Sequence, residues 1–176
     1  YKTVASIYDK YLQQIYPVRL DVRNKLKKGN RLFIDGLKKM NDSKIYYPNA
    51  NSTMRITYGK VGDYHANEAT HYDYYTTIEG LFDKEDPSNE EFIIPEKLRE
   101  LYNLKDYGNY ADSDGNLRVN FISDNDITGG NSGSPVINAW GELVGTAFDG
   151  NWESMSGDIA FEKEVQRTIS VDIRYI

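Results

Sequence analysis

Cysteine is absent from the 176 residues, which excludes a disulfide framework, thiolate metal sites and a cysteine nucleophile while leaving the redox compartment open. Histidine occurs only at His65 and His71. Their spacing fits no helical metal pair, so neither a metal nor any other cofactor is expected. Excess basic charge is missing too: 27 acidic residues stand against 21 basic ones, for a formal net charge of -6. No basic stripe can then balance phosphate, and nucleic acid is excluded as a partner. No apolar run approaches the ~18 residues that cross a bilayer, so membrane insertion is not expected. The first residue is Tyr1 rather than Met, and the chain is expected to be a piece of a longer protein.

What is present points to sheet. Tyrosine occurs 15 times, and with Thr, Val and Ile it favours half-buried strands. The length suits one medium domain, or one domain and part of another, with a real core. At the start, Val4, Ile7, Tyr8, Tyr11, Leu12 and Ile15 follow the spacing of an amphipathic helix, which Pro17 ends or restarts. From Val18 to Met40 the chain is rich in Lys and Arg, with Val22, Leu26, Phe33, Leu37 and Met40 as candidate inward positions. Gly29 and Gly36 argue against one continuous helix. The basic residues of this stretch read as a solvated face.

Beyond Asn41-Asp42-Ser43 the helical spacing gives way to alternation. Residues 53–61 and 71–78 are predicted to pair as a hairpin across an exposed loop at 62–68. Pro95 is placed to open a helix through Leu98, Leu101 and Tyr102. Asp114-Gly115 is a turn before the strand 117–122. Further strands are expected at 136–138, 143–148 and 169–175, joined by tight turns, which favours an antiparallel barrel over a parallel α/β sheet. Asp112 to Asn116 opens like a calcium loop, but position twelve is Ser123 rather than Glu, so it reads as a turn. Asn51-Ser52-Thr53 matches a glycosylation acceptor, a pattern short enough to arise by chance.

The stretch that organises the chain is Asn125-Asp126-Ile127-Thr128-Gly129-Gly130-Asn131-Ser132-Gly133-Ser134-Pro135-Val136. Bare G-x-S-x-S suits a loop between strands equally well. Here Gly130 and Gly133 flank Ser132 where the backbone must bend sharply, which glycine permits. Such a turn presents Oγ outward as a nucleophile and aims the amides of Gly130 and Ser132 at one point as an oxyanion hole. A strand rather than a helix follows the serine, which disfavours an α/β-hydrolase elbow.

The run Gly130 to Val136 followed by Gly141-Glu142-Leu143-Val144-Gly145 resembles the serine region of chymotrypsin-fold peptidases. With Ala147 to Glu153, Tyr47 to Arg55 and Arg167 to Tyr175, the chain from about residue 43 onward resembles the bacterial dipeptidyl-peptidase VII and XI family. That resemblance implies a mainly β fold: residues 44–176 as the second six-stranded antiparallel β-barrel of a chymotrypsin-type double barrel. Residues 1–43 would be the last helices of an inserted helical module. The catalytic histidine and aspartate would come from a first barrel outside this chain, and a serine without an adjacent base is a weak nucleophile. The chain alone is therefore expected to be inactive. The parent is expected to be a serine-type dipeptidyl-peptidase, a periplasmic or cell-surface homodimer of a Gram-negative bacterium acting on peptides with a free N-terminus.

The same resemblance lays Phe148, Asp149 and Gly150 along one wall of the primary specificity pocket. Gly150 leaves room for an apolar side chain where the acidic-specific branch has an arginine, which is closer to the dipeptidyl-peptidase VII branch. Asp149 would pair with the substrate's α-ammonium, a charge-assisted bond. Asn131 stands where digestive chymotrypsin-like enzymes hold the aspartate that pairs with a newly cut N-terminus. Asp126, six residues before Ser132, occupies the position of a trypsin-like pocket aspartate. The alternatives are thus an endopeptidase selecting Lys or Arg through Asp126, and an inactive peptide-binding fragment.

Overall fold

The structure, a computed structural model, describes residues 2–43, 46, 50, 52–157 and 161–176. Most of the Tyr47 to Asn51 motif, and with it the Asn51 glycosylation acceptor, lies outside the described residues. The chain divides into two compact units, Tyr1–Tyr46 and Tyr47–Ile176.

The first unit is helical. Helix α1 (Lys2–Lys10) passes through a π-helical turn at Tyr11–Ile15 into helix α2 (Tyr16–Met40). Pro17 sits in the first turn of α2, where its missing N–H leaves no intrahelical bond unmade. The helix runs through Gly29 and Gly36 unbroken, against the sequence expectation, because a propensity cost of about 1 kcal/mol per glycine does not outweigh 25 residues of helix. It ends at Asn41, whose amide still donates to the Leu37 carbonyl at 3.2 Å. Of the candidate inward positions, Val22, Leu26, Phe33 and Met40 are exposed, and none of these helices has a buried residue. The basic positions are solvated as expected.

The second unit is built on antiparallel sheet. Strands β1 (Tyr64–Asn67) and β2 (Thr70–Tyr72) form a separate hairpin. Strand β3 (Tyr75–Thr77) joins β4 (Arg118–Ser123), β5 (Ser134–Ile137), β6 (Leu143–Gly150) and β7 (Thr168–Asp172) in a five-stranded sheet of order β3-β4-β7-β6-β5. Helices α3 (Glu79–Phe82) and α4 (Glu96–Leu104, with Pro95 at its start) lie between β3 and β4 in the chain. Ile78, Tyr107, Leu117 and Val119 are the buried heart of the core, with Leu81, Phe82, Leu98 and Tyr102 packed against them.

Three expectations are corrected here. The chain is mixed helix and sheet rather than mainly β, and the larger sheet has five strands among the described residues, not six. Residues 53–61 run beside β4 but join it through a single bridge, Val61 to Ser123, and through side chains. The hairpin falls at 64–72, inside the stretch expected to be an exposed loop. Tyr64 explains this: it is 8% exposed, stacks on Tyr72 and lies under the Arg167 guanidinium, so one aromatic residue anchors an otherwise polar strand.

Strand β7 also inverts its expected alternation. Thr168, Ser170 and Asp172 are buried, whereas Ile169 and Val171 are only partly so. Asp172 accepts hydrogen bonds from Arg174 Nη2 at 2.6 Å, Nε at 2.9 Å and the Arg174 amide at 3.0 Å. Burial pulls the Asp172 carboxyl upward, but the Arg174 hydrogen bonds outweigh it and hold the group below its ordinary range. Asp112 to Asn116 is a turn: the Asp112 carboxylate accepts from the amides of Asp114 and Asn116 and from Arg118.

Candidate active site

The elbow between β4 and β5 is fixed from below by charge and from the side by strand β6. Asp126 is 8% exposed, and its carboxylate is paired with the Arg55 guanidinium, whose side chain is 5% exposed. The other arm of that guanidinium, Nη1, donates to Asn131 Oδ1 at 2.7 Å. Asn131 Oδ1 also accepts the Thr128 amide at 2.9 Å, while the Asn131 amide returns to the Thr128 carbonyl at 3.1 Å. Neighbouring Asn125 is held through Thr57, Ser123 and Thr168.

Above this base the turn opens. Gly130 and Gly133 have φ of +97° and +84°, a region in which an L side chain is strained. A Cβ on Gly129, Gly130 or Gly133 would meet nothing within 4 Å, so the space beside the turn is free for a substrate. The Gly133 amide is tied to the Ala147 carbonyl at 2.8 Å and the Ser134 amide to the Asn131 carbonyl at 3.0 Å. Among the described residues, the amides of Gly130 and Ser132 donate to no acceptor of the chain. Ser132 is exposed, and its Oγ donates to the Phe148 carbonyl at 3.1 Å.

Strand β6 thus reaches the serine through Phe148. Its register with β7 shifts between Ala147 and Asp149, a bulge that re-aims the side chains beyond it. Asp149 is exposed, with Oδ1 accepting the Gly150 amide at 2.8 Å. Gly150 is tightly approached: a Cβ there would lie 2.9 Å from Ser154 Cβ and 3.3 Å from Ile127 Cγ2. The segment after it is pinned by Asn151, which donates to the Val165 carbonyl and Glu153 Oε2 at 2.8 Å and accepts from Ser154 Oγ at 2.6 Å.

The histidines are elsewhere. His65 and His71 face each other across the β1–β2 hairpin, ring centroids 4.6 Å apart. His71 Nε2 is 2.8 Å from Asp63 Oδ2, and this bond holds the exposed Asp63 carboxyl below its ordinary range. Neither ring is a hydrogen-bond partner of Ser132. Among the described residues no group of three or more His, Asp or Glu is placed to hold a metal ion, and no helix is long and apolar enough to cross a membrane.

The structure therefore brings Ser132, Gly130, Phe148, Asp149 and Gly150 to one place, where β6 meets the elbow. Asp126 is not free to select a basic side chain, because its carboxylate is buried and neutralised by Arg55. Sequence reasoning missed Arg55 and Asn151. A buried aspartate in a glycine-rich turn demands a cation, and that demand was the available signal for Arg55.

A sequence model of the family described as Peptidase S46 matches residues 1–176. The chain belongs to the peptidase S46 family. It is 54% identical over 147 residues to a dipeptidyl-peptidase 7 of Phocaeicola vulgatus, covering 84% of this chain and 20% of that protein. It is 42% identical over 172 residues to an Asp/Glu-specific dipeptidyl-peptidase of Porphyromonas gingivalis, covering 98% of this chain and 24% of that protein. Among solved structures, the DPP11 of Porphyromonas endodontalis in complex with the dipeptide Arg-Glu is similar, with a TM-score of 0.73 and 45% identity over 81% of this chain and 20% of that one. The chain thus spans about a fifth to a quarter of the S46 relatives it matches.

Proposed function

We propose that this chain is the serine-bearing C-terminal part of a dipeptidyl-peptidase that releases N-terminal dipeptides, preferring an apolar second residue. The observation that carries the reading is the elbow itself: an exposed Ser132 hydroxyl beside two unpaired amides, over open space. Ser132 attacks the scissile carbonyl carbon, and the amides of Gly130 and Ser132 receive the oxygen as it becomes anionic. Asp149 pairs with the substrate's α-ammonium, which sets the cut two residues from the N-terminus. Gly150 contributes no side chain to the specificity pocket, and Ile127 Cγ2 beside it supplies an apolar wall.

In this reading the histidine and aspartate that activate Ser132 come from the remainder of the parent, and no cofactor takes part. The five-stranded sheet belongs to the second barrel of a chymotrypsin-type double barrel, and residues 1–43 to an inserted helical module. The parent is a periplasmic or cell-surface homodimer. The neutralised Asp126 argues against an endopeptidase selecting Lys or Arg.

The test is hydrolysis of fluorogenic dipeptides by the parent, with Leu or Met, Asp or Glu, and Lys or Arg at the second position, each with a free and a blocked amine. Fast cleavage restricted to free-amine apolar substrates is expected. Cleavage of blocked substrates after Lys or Arg would overturn the reading. For the isolated chain, a serine-directed fluorophosphonate is expected to label Ser132 slowly or not at all, because its hydroxyl has only the Phe148 carbonyl as a recorded partner.

A further inference from the structure

We propose that Arg55 is a positioning residue for the oxyanion hole, presetting the Gly130–Ser132 turn from within this chain; the inference rests on the hydrolytic role assigned to Ser132. The guanidinium touches no reacting group. It joins Asp126 at one end of the elbow to Asn131, the residue before the nucleophile, across 71 and 76 positions of sequence respectively. Asn131 is held at both ends of its own short turn: its side-chain oxygen receives the Thr128 amide and Arg55 Nη1, and its backbone amide donates to the Thr128 carbonyl. With the Asn131 side chain drawn down to Arg55, the peptides on either side of it leave the Gly130 and Ser132 amides unpaired toward the open space.

The fork geometry matters here. A guanidinium presents two parallel arms in a rigid plane, one for a carboxylate and one for an amide oxygen, which a lysine ammonium cannot reproduce in the same place. Without the cation, the Asp126 carboxylate would be left buried and uncompensated. It would turn toward water, release Asn131, and free the Gly130–Ser132 peptides to rotate. Preorganised donors act because they need not reorganise during the reaction, so the loss falls on the chemical step rather than on binding.

The experiment uses the full-length parent with Arg55→Ala, Arg55→Lys and the charge-neutral pair Arg55→Gln with Asp126→Asn. Readouts are kcat and KM on the best free-amine dipeptide, the rate of fluorophosphonate labelling at Ser132, and recovery on adding guanidinium ion to Arg55→Ala. Expected for Arg55→Ala is a fall in kcat of about 10²–10³-fold, the size of losing an oxyanion donor, with KM within about threefold. Labelling should slow in parallel, guanidinium should restore part of the rate, and Arg55→Lys should remain impaired. A folded Arg55→Ala enzyme with kcat and labelling near the wild-type values, or with only KM raised, overturns the proposal. If Arg55→Ala does not fold, the neutral pair decides, since it leaves no unpaired charge: persistent loss of kcat supports the proposal and wild-type kcat refutes it. If the parent labels at Ser132 but cleaves no dipeptide, the dipeptidyl reading fails, and the labelling rates of the same variants still decide the role of Arg55.

Discussion

The elbow around Ser132 and the hairpin carrying His65 and His71 belong to the same structural unit, and each displays residue types that hydrolases use. The elbow rests on a buried guanidinium and carboxylate and exposes only its tip. The hairpin pairs His71 with Asp63 at 2.8 Å, but both side chains are substantially exposed, at 41% and 59%. A site needs a rigid, desolvated support that holds its reactive groups in place, and only the elbow has one. Reactive residue types close together, as on the hairpin, do not by themselves make a site.

That contrast can be tested from its strongest consequence to its weakest. Ser132→Ala in the parent should lower kcat by about 10⁶-fold with substrate binding retained, measured on free-amine dipeptides; residual turnover within tenfold of wild type would move the nucleophile off the elbow. Asp149→Asn should reduce kcat/KM about 10- to 100-fold for free-amine substrates only, the loss of a charge-assisted bond. An equal loss on blocked substrates would show that Asp149 does not hold the ammonium.

A smaller effect, on stability, is expected where the site is tightly packed. Gly150→Ala forces a Cβ to 2.9 Å from Ser154 Cβ, and overpacking of this kind costs about 1–3 kcal/mol. Calorimetry should show a lower Tm; an unchanged Tm would mean that the 151–157 segment yields freely. In acid, the Asp172–Arg174 pair should be felt. The Asp172 pKa is depressed in the folded chain, so its stabilisation is present above the unfolded value of about 3.9 and is lost as pH falls below it. The Tm of Asp172→Asn should therefore depend less on pH than the wild-type Tm below about pH 4, and parallel curves would contradict this. The hairpin should matter least: His71→Ala is expected to leave kcat/KM within about twofold, and a large loss would reinstate the histidine as a functional group.

Much of the second unit was legible because its strands are separated by residues with positional meaning. Asp114-Gly115, Pro95 and the glycines of the elbow mark turns and starts that the structure keeps. Alternation misled where the polar set is the inward one. Met54, Ile56 and Tyr58 point outward at 84%, 70% and 73% exposure, while Arg55 between them is buried against the elbow. Residues 71–78 read as one strand because hydrophobic alternation continues across a change of sheet at Asp73 and Tyr74. The Ser132 turn was legible from glycine spacing alone. Whether Asp126 faced a substrate was not, because the answer lay in a cation distant in sequence.

Strand β6 carries, on consecutive residues, the carbonyl that holds the Ser132 hydroxyl and the two positions proposed to read the substrate. Its bulge falls among them. Reactivity and preference are therefore inherited together on one length of backbone, and a slip in its register would disturb both at once. Diversification of this scaffold has an easier route through the Asn151-to-Gly157 segment, which packs against Gly150 without bonding to the serine. Changes there can reshape what is accepted while leaving the nucleophile where it is.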